Sequence, residues 1–296
     1  MFRQFRRFGV AIISAGLAMA PAHTEPAIWT MSDSDTVISI VGTVHHLPED
    51  LDWRSGNIGK VFDAAHTVCF EIDANARAYE SHVMRNRRGF FRPGNNLTDH
   101  LTRRQAKTLK RRARALDVPF HVLNLMKPWL ASITLDNAFI EQLELGDGVE
   151  FSLYPDLLAS GKELCELETL EEQLGGWVGM TLDDQVRQLF SEYPGTEDLT
   201  EIESLAFSKD LLMELIEDWA EGDVDAIGDL VNIEAAINEG FHDALLFDRN
   251  TRWVPRIEAL LETEGNIMVA VGAAHLAGDD SVITMLRARG HKIDGP

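Results

Sequence analysis

Two short stretches near opposite ends of the chain share one pattern, in which an apolar run ends in glycine and a histidine follows three residues later. The stretches are residues 40–47, with Gly42 and His45, and residues 269–276, with a matching glycine and His275. Glycine at the end of a strand lets the backbone turn sharply, so a histidine that follows points across the edge of the sheet. If the two strands lie side by side, the two imidazoles point at one place.

Two further strand-like runs end in a carboxylate. Residues 67–73 are mostly apolar and close with Glu71 and Asp73, and residues 163–169 close with Glu168. A carboxylate at the end of a buried strand is costly unless it is paired or bound to a cation. Asp73 is explained as the start of a turn, whereas Glu71 and Glu168 are candidate site residues.

Two histidines and one glutamate, each at the end of a strand, are ligands of the kind that bind zinc, manganese, iron or cobalt and leave positions open for water. We therefore predict a divalent transition-metal site formed by His45, His275 and one of the two glutamates, Glu71 or Glu168. Such a metal lowers the pKa of its bound water and polarises a carbonyl group, which is a route to hydrolysis at neutral pH. His45 is preferred to His46 as the ligand, because neighbours in an extended chain point to opposite sides.

Other polar residues have candidate catalytic roles. Glu71 or Glu168 is either a ligand or the general base that takes a proton from water, and the sequence leaves this assignment open. Arg249 is suited to stabilising an oxyanion and Asn250 to orienting a substrate or ligand. Ordinary salt bridging on a helix surface explains both residues equally well. The chain has no His-Glu-x-x-His, Cys-x-x-Cys, Gly-x-Ser-x-Gly or phosphate-binding glycine-rich motif.

The first 22 residues differ from the rest of the chain. Arg3, Arg6 and Arg7 precede an apolar run, and a small-residue cleavage pattern ends at Ala22, so we predict a secretory signal peptide over residues 1–22. Of the 27 Lys and Arg, removal of these three leaves 24 against 48 Asp and Glu, a net charge of −24. That charge disfavours nucleic acids and anionic membranes. We predict a periplasmic or secreted protein with no nucleic-acid partner and no stable membrane span after signal removal.

The mature chain, residues 23–296, is predicted to form one domain with a helical, acidic insertion around residues 182–247. Turn residues predict breaks in this insertion near residues 193–195 and 221–223. Apolar strand-like runs alternate with helical segments along the mature chain. The helices outside the insertion are predicted at about 57–65, 99–116, 126–145 and 279–289, with a short extended piece at 118–120. Thr169 and Glu172 form a capping-box pattern that predicts the start of another helix.

Two local features leave alternatives open. Residues 85–114 contain 11 Lys or Arg and a single acid, Asp99. A solvated helix face that pairs with the acidic part of the molecule explains this segment better than a binding site does. Cys69 and Cys165, the only cysteines, either pair in an oxidising compartment or are buried thiols.

Together these motifs resemble the TraB/GumN family, which is similar to the Tiki membrane proteases and more distantly to the ChaN and erythromycin esterase groups. The resemblance covers nearly all of the mature chain, and the segments that carry it lie at residues 26–29, 42–45, 70–73, 127–129, 167–173, 249–250 and 271–276. It implies an α/β fold in which a central, largely buried mixed sheet carries both Gly-x-x-His strand ends and is surrounded by helices. It also implies a metal-dependent peptidase with His45, His275 and Glu71 as ligands. Ala274 and Glu166 depart from the family pattern, and neither position is a proposed ligand.

Three functions are consistent with these features. The first is an exported metal-dependent hydrolase acting on a peptide or protein, with manganese, cobalt, zinc or iron as cofactor. The second is a haem-iron or other ligand-binding module of the ChaN type. The third is a non-catalytic accessory protein for surface polysaccharide or secretion that uses its acidic helical region as an interaction face. A homo-oligomer is compatible with each of them.

Overall fold

The architecture is that of a mixed α/β protein built on one central sheet. A computed structural model describes residues 25–73, 85, 87–191, 196 and 199–296. Among these residues the sheet has six strands in the order β6-β4-β7-β2-β1-β8. Strands β2, β4, β6 and β7 run parallel, and β1 is antiparallel to both of its neighbours. The strands, with a second two-stranded sheet of β3 and β5, are β1 (Ile28–Ser32), β2 (Thr36–Thr43), β3 (His46–Leu47), β4 (Thr67–Phe70), β5 (Gly146–Asp147), β6 (Glu163–Glu166), β7 (Gly265–Gly272) and β8 (Ile293–Asp294).

Helices cover the sheet and form an additional layer beside it. A π-helical turn, Asp243–Phe247, joins two of them, and 3₁₀ turns lie at Leu97–His100, Leu260–Glu262 and Ala273–His275. The α-helices are α1 (Asn57–Ala64), α2 (Arg103–Ala115), α3 (Phe120–Leu123), α4 (Pro128–Gln142), α5 (Val149–Ser160), α6 (Leu170–Gly179), α7 (Leu182–Leu189), α8 (Glu201–Glu221), α9 (Val224–Ile237), α10 (Glu239–His242), α11 (Asp248–Ala259) and α12 (Val282–Ala288).

The central strand β7 shows why the sheet is buried on both faces. Ile267, Val269 and Val271 pack on one face with the apolar residues of α11 and α12. Met268 and Ala270 alternate with them and pack on the other face with residues of α1, α5 and α8. Side chains of successive strand residues point to opposite faces, so a strand covered on both sides needs a continuous apolar run. The predicted fold class is confirmed.

A third apolar cluster lies among helices outside the sheet. It joins α2, α3, α4 and α7 through buried residues that include Leu109, Leu123, Trp129 and Leu189. Helices α2, α3 and α4 belong to the part of the chain between β4 and β5, whereas α7 is the first helix of the predicted acidic insertion. The insertion itself contains α7 to α10, and the break predicted near residues 221–223 is confirmed, since α8 ends at Glu221 and Gly222 is its left-handed C-cap. The predicted break near residues 193–195 lies outside the described residues.

Several predicted boundaries are corrected by capping interactions. The helix predicted over 99–116 begins at Arg103, because the Thr102 side chain accepts a hydrogen bond from the Gln105 N–H. The extended piece predicted at 118–120 is wrong at its end, since Pro119 caps the short helix α3, which begins at Phe120. The predicted helices 126–145 and 279–289 are shorter at both ends, and the second begins after the N-cap Ser281. The capping box predicted at Thr169 is confirmed.

Cys69 and Cys165 form a disulfide that links neighbouring parallel strands. The two residues lie directly opposite each other in β4 and β6, with a Cα–Cα distance of 4.4 Å. The disulfide lies on the sheet face that packs against α11 and α12. Of the two possibilities that the sequence left open, the structure has the paired one.

Within the described part of the chain, no helix combines the length and the apolar character that crossing a membrane requires. Residues 1–22, the predicted signal peptide, are outside the described residues.

Candidate functional site

The two Gly-x-x-His stretches end on neighbouring parallel strands. In the pairing of β2 with β7, Gly42 lies opposite Val271 and Thr43 lies opposite Gly272. The chain then turns differently after each strand. After Gly272 a 3₁₀ turn carries His275 into the protein, where it is buried, whereas His45 precedes β3 and its side chain is 44% exposed. One imidazole is therefore fixed in the interior and the other lies at the surface of the site.

The Arg249 guanidinium lies at the centre of the site and uses all five of its N–H donors. Nη2 donates to Glu71 Oε2 at 2.6 Å and to Glu168 Oε1 at 2.5 Å, and Nε donates to the same Glu168 oxygen at 2.8 Å. Nη1 donates to the Leu245 carbonyl at 3.1 Å and lies 3.0 Å from His275 Nε2. Because a guanidinium only donates hydrogen bonds, His275 Nε2 is the acceptor in the last contact. Arg249 is thus a buried cation that joins the ends of β4, β6 and β7.

The charges of this cluster are strongly perturbed. Burial by itself raises the pKa of Glu71, but Arg249 and the two histidines outweigh it and hold the pKa well below the usual range. Burial also raises the pKa of Glu168, and here Arg249 only partly offsets it, so the pKa stays above normal. The pKa of Arg249 is raised, because the two carboxylates outweigh its own desolvation. Glu71 is the ionised partner of the arginine, and Glu168 is the carboxylate that protonates more readily.

Two groups besides Arg249 hold the Glu71 carboxylate, and a third contact holds its backbone. The Gly272 N–H donates to its Oε1 at 2.8 Å, and the Gln173 side chain in α6 donates to its Oε2 at 3.2 Å. The Glu71 carbonyl also accepts a hydrogen bond from the Glu168 N–H, which continues the β4–β6 ladder beyond the last strand residues. The carboxylate is therefore fixed in position and has little freedom to rotate.

His275 is held as a neutral imidazole. Its Nδ1 lies 2.6 Å from Asn250 Oδ1, and the Asn250 amide nitrogen donates to the Asp280 carbonyl at 2.8 Å. Nδ1 therefore carries the proton, and Nε2 carries the lone pair that faces Arg249. Burial and the nearby arginine lower the pKa of His275 to about 3. The Trp253 ring lies 4.3 Å from the imidazole, centroid to centroid, and closes its apolar side.

His45 is oriented by a carboxylate that the sequence did not single out. Its Nδ1 lies 3.2 Å from Glu150 Oε1, and the Thr43 hydroxyl donates to the same oxygen at 2.5 Å. Glu150 is buried; desolvation raises its pKa, but His45 and Thr43 outweigh that effect and the pKa is lowered. An acid in the first turn of a helix is common for reasons of the helix dipole, so only the folded structure distinguishes Glu150 from other acids.

Glycine at position 148 allows helix α5 to bring Glu150 to this place. The Gly148 N–H donates to the His45 carbonyl at 2.9 Å, and the Val149 N–H donates to the Val44 carbonyl at 3.1 Å. These carbonyls satisfy two donors at the N-terminus of the helix that would otherwise lack partners. A Cβ at residue 148 would lie 1.9 Å from the Val44 carbonyl oxygen. The helix can approach residues 44 and 45 this closely only because residue 148 has no side chain.

Replacing Gly148 with alanine is therefore expected to lower the free energy of unfolding by more than about 3 kcal/mol, because the helix has to move away from residues 44 and 45. Gly175 is the matched control, since a Cβ there has no atom within 4 Å and alanine is preferred in a helix interior. Gly175→Ala should raise stability by about 0.5–1 kcal/mol. Urea unfolding of the two variants measures both effects, and equal stability in the two would contradict the close approach at Gly148.

Two of the three proposed metal ligands, Glu71 and His275, contact the Arg249 guanidinium. His275 Nε2 and Glu71 Oε2 both face the Arg249 guanidinium, and His275 Nε2 is 3.9 Å from Glu71 Oε1. In the part of the chain that the structure describes, no group of three or more His, Cys, Asp or Glu is placed to hold a metal ion. The metal site of His45, Glu71 and His275 stays a prediction.

The structure brings together the other candidate residues as well. Glu71 and Glu168 meet at Arg249, and Asn250 supports His275. Arg249 and Asn250 are 7% and 1% exposed, so salt bridging on a helix surface does not explain them. Their catalytic roles stay predictions. Asp73, which was expected only to start a turn, accepts a hydrogen bond from the Tyr154 hydroxyl at 2.5 Å.

Comparison with known proteins identifies one family. The model of the TraB/PrgY/gumN family matches residues 27–294, which is nearly the whole chain. No curated protein and no solved structure matches the chain.

Proposed function

The chain belongs to the TraB/PrgY/gumN family, and we propose that it is an exported hydrolase that cleaves amide bonds in a peptide or protein. The observation that carries the proposal is the pairing of an exposed histidine, His45, with the buried carboxylate Glu150 beside a buried cluster of Arg249, Glu71 and His275. Perturbed ionisable groups that converge at the carboxyl ends of parallel strands are typical of catalytic sites.

His45 is the general base of this proposal. Its Nδ1–H is directed at Glu150, so Nε2 holds the lone pair that accepts a proton from water. Water adds to the substrate carbonyl as that proton is transferred, and the carbon–nitrogen bond breaks as His45 returns the proton to the leaving amine. Glu150 fixes the tautomer and stabilises the imidazolium that forms between the two transfers.

Arg249 is a positioning residue in this scheme and does not itself contact the substrate. Its five N–H groups are all engaged by protein acceptors, so none is left for an oxyanion. It keeps Glu71 ionised, while burial and its own charge keep His275 neutral. The fixed negative charge of Glu71 also lies close enough to interact with His45. It stabilises the imidazolium that His45 becomes between the two proton transfers.

A metal-dependent form of the same hydrolase is the second candidate, with manganese, cobalt, zinc or iron held by His45, Glu71 and His275. One observation favours it: the Nδ1 of each histidine is bound to an outer oxygen, from Glu150 and from Asn250. Metal-binding histidines usually have their second nitrogen held in this way. The bound metal would activate water and polarise the carbonyl. For this form, Glu71 and His275 would have to release Arg249.

Export is supported by the disulfide between Cys69 and Cys165. Structural disulfides persist in oxidising compartments and are rare in the cytosol of mesophilic organisms.

The test is cleavage of a peptide library by the mature protein and two histidine variants. His45→Ala is expected to lower kcat/KM by about 10²–10⁴-fold, which is the usual contribution of a general base. His46→Ala is the matched control, because His46 is the next residue and lies in β3 opposite Asp147; its activity should stay within about threefold of wild type. Unchanged activity in His45→Ala would refute the role of His45.

Metal content separates the two forms of the proposal. Elemental analysis of the wild type, His45→Ala and His275→Ala, purified without chelators, should find near-stoichiometric transition metal only in the wild type if the metal-dependent form is correct. Activity that persists in EDTA, together with no metal in the wild type, supports the metal-free form. Metal retained in both variants would exclude His45 and His275 as ligands.

A further inference from the structure

Helix α2 presents a stripe of positive charge to solvent. At about 100° per residue, its six outward cations fall within an arc of about 120°. They are Arg103, Arg104, Lys107, Lys110, Arg111 and Arg114, and all six are exposed. The opposite side of the helix carries Leu109 and Ala113 into the helical core. The stripe is therefore the solvent side of a firmly packed helix.

The acidic part of the molecule neutralises only one margin of this stripe. Arg111 Nε donates to Glu201 Oε1 at 2.6 Å, at the start of α8. Among the described residues, no ion pair is formed by the other five cations, Arg103, Arg104, Lys107, Lys110 and Arg114. A solvated helix face usually intersperses acids at spacings of three or four residues, and α2 contains no acid. The explanation favoured from the sequence, pairing with the acidic half, holds for Arg111 alone within this stripe.

The short helix α3 packs against α2, and exposed apolar side chains lie on α3 and just after it. The ring of Phe120, the first residue of α3, lies 5.1 Å from the Lys110 ammonium group. Val122 and Leu125 follow in and after this short helix and are 39% and 49% exposed. They are among the most exposed large apolar residues of the described chain. A row of cations next to exposed aliphatic side chains is the pattern of surfaces that bind a bilayer in its interfacial plane.

We propose that this basic and apolar surface, made of Arg103, Arg104, Lys107, Lys110, Arg114, Val122 and Leu125, docks on an anionic lipid bilayer. The cations would lie at the lipid phosphates, and the two aliphatic side chains would enter the headgroup region. This inference is independent of the proposed hydrolysis.

The net charge of the chain, −21, works against membrane binding over long distances. Charges farther than a Debye length of about 10 Å at 0.1 M salt are largely screened, so a docked molecule experiences mainly the cations at its contact surface. The remaining negative charge repels the bilayer and selects the single orientation in which α2 faces the lipid. The apolar pair favours a bilayer over a soluble polyanion, because a polyanion offers no place to bury Val122 and Leu125.

The test is sedimentation of the mature protein with vesicles of phosphatidylcholine alone and of phosphatidylcholine with 30% phosphatidylglycerol, at about 0.05 M and 0.3 M salt. Binding is expected only with phosphatidylglycerol and should weaken at the higher salt. The triple variant Arg103→Gln, Lys107→Gln, Arg114→Gln should lower the partition coefficient about 100-fold. The matched control removes three exposed cations elsewhere, with Lys60→Gln, Arg187→Gln and Lys292→Gln, and should change it less than about threefold.

A second variant tests the apolar contribution. Val122→Ser with Leu125→Ser should lower the partition coefficient about 10-fold without changing its salt dependence. Equal binding by the triple variant of α2 and the triple control variant would overturn the proposal. So would the absence of binding to phosphatidylglycerol vesicles, and binding to heparin without binding to vesicles would assign the surface to a soluble polyanion instead. Circular dichroism of each variant confirms that it is folded.

Discussion

Replacing Arg249 with methionine is expected to lower the free energy of unfolding by about 3–5 kcal/mol. Methionine fills much of the same volume but leaves Glu71 and Glu168 buried without their cation, and removing one partner of a buried ion pair costs this much. The two carboxylates also repel each other, since the charge of Glu71 raises the pKa of Glu168. Thermal unfolding should show a fall in Tm of the order of 10 °C.

The pH dependence of this loss has a definite sign. In the wild type the pKa of Glu71 is depressed, so its ion pair adds stability above the unfolded-state pKa of about 4.5, and this stability is lost as pH falls through the folded-state pKa. In the Arg249→Met variant, burial raises the pKa of Glu71. Protonation at lower pH removes the buried charge, so the variant then loses less free energy of unfolding relative to wild type. The difference in stability between wild type and variant should be largest near pH 7 and should shrink towards pH 4.

Two further variants separate loss of the cation from loss of packing. Arg252→Met is the matched control on the same helix; Arg252 Nη2 is 3.8 Å from Glu168 Oε2 and its side chain is 36% exposed, so the cost should stay below about 1 kcal/mol. Adding Glu168→Gln to Arg249→Met should restore part of the lost stability, because one buried charge is removed. A loss in Arg249→Met that is the same at pH 4 and pH 7, with no rescue, would show that packing and not charge is responsible.

The strands that carry the site could be predicted because their signal is local. A continuous apolar run that closes in glycine or a carboxylate marks both the strand and its functional end, and β2, β4 and β7 all have this form. Parallel pairing then brings such ends to one edge of the sheet. The proximity of Glu71, Glu168 and His275 therefore follows from residues that lie far apart in the sequence, once the strands are neighbours.

The residues that complete the site come from helices, and their positions depend on tertiary packing. Glu150 lies on α5 and has no sequence pattern that distinguishes it from other acids in a first helical turn. Gln173 on α6 lies in a segment that carries the family resemblance, but its contact with Glu71 depends on tertiary packing. The sequence marked Arg249 as a candidate site residue, with a role in stabilising an oxyanion. Its five simultaneous donor contacts could not be predicted, because they depend on where α11 lies relative to three strands. Boundary errors had a local cause, since hydrogen bonds at Thr102 and Ser281 fix where helices begin.

Reducing the disulfide between Cys69 and Cys165 is expected to lower the free energy of unfolding by about 4–5 kcal/mol. The two cysteines are 96 residues apart, and a cross-link that closes a loop of this length removes about that much conformational entropy from the unfolded chain. It also ties the edge strand β6, which pairs with β4, to the centre of the sheet. Loss of the link should loosen β6 first, and with it Glu168, which follows this strand.

Urea unfolding with and without dithiothreitol measures the effect, and hydrogen exchange shows whether β6 is the first strand to lose protection. The control is the double variant Cys69→Ala, Cys165→Ala. It has no disulfide, so dithiothreitol should not change its stability. Thiol titration of the denatured, unreduced protein should find no free thiol, since both cysteines are paired. Two free thiols in protein purified from an oxidising compartment, with a midpoint that dithiothreitol does not change, would contradict the disulfide and remove the structural support for export. A fall in the midpoint confined to the wild type would instead show that the site edge of the sheet depends on an oxidising environment.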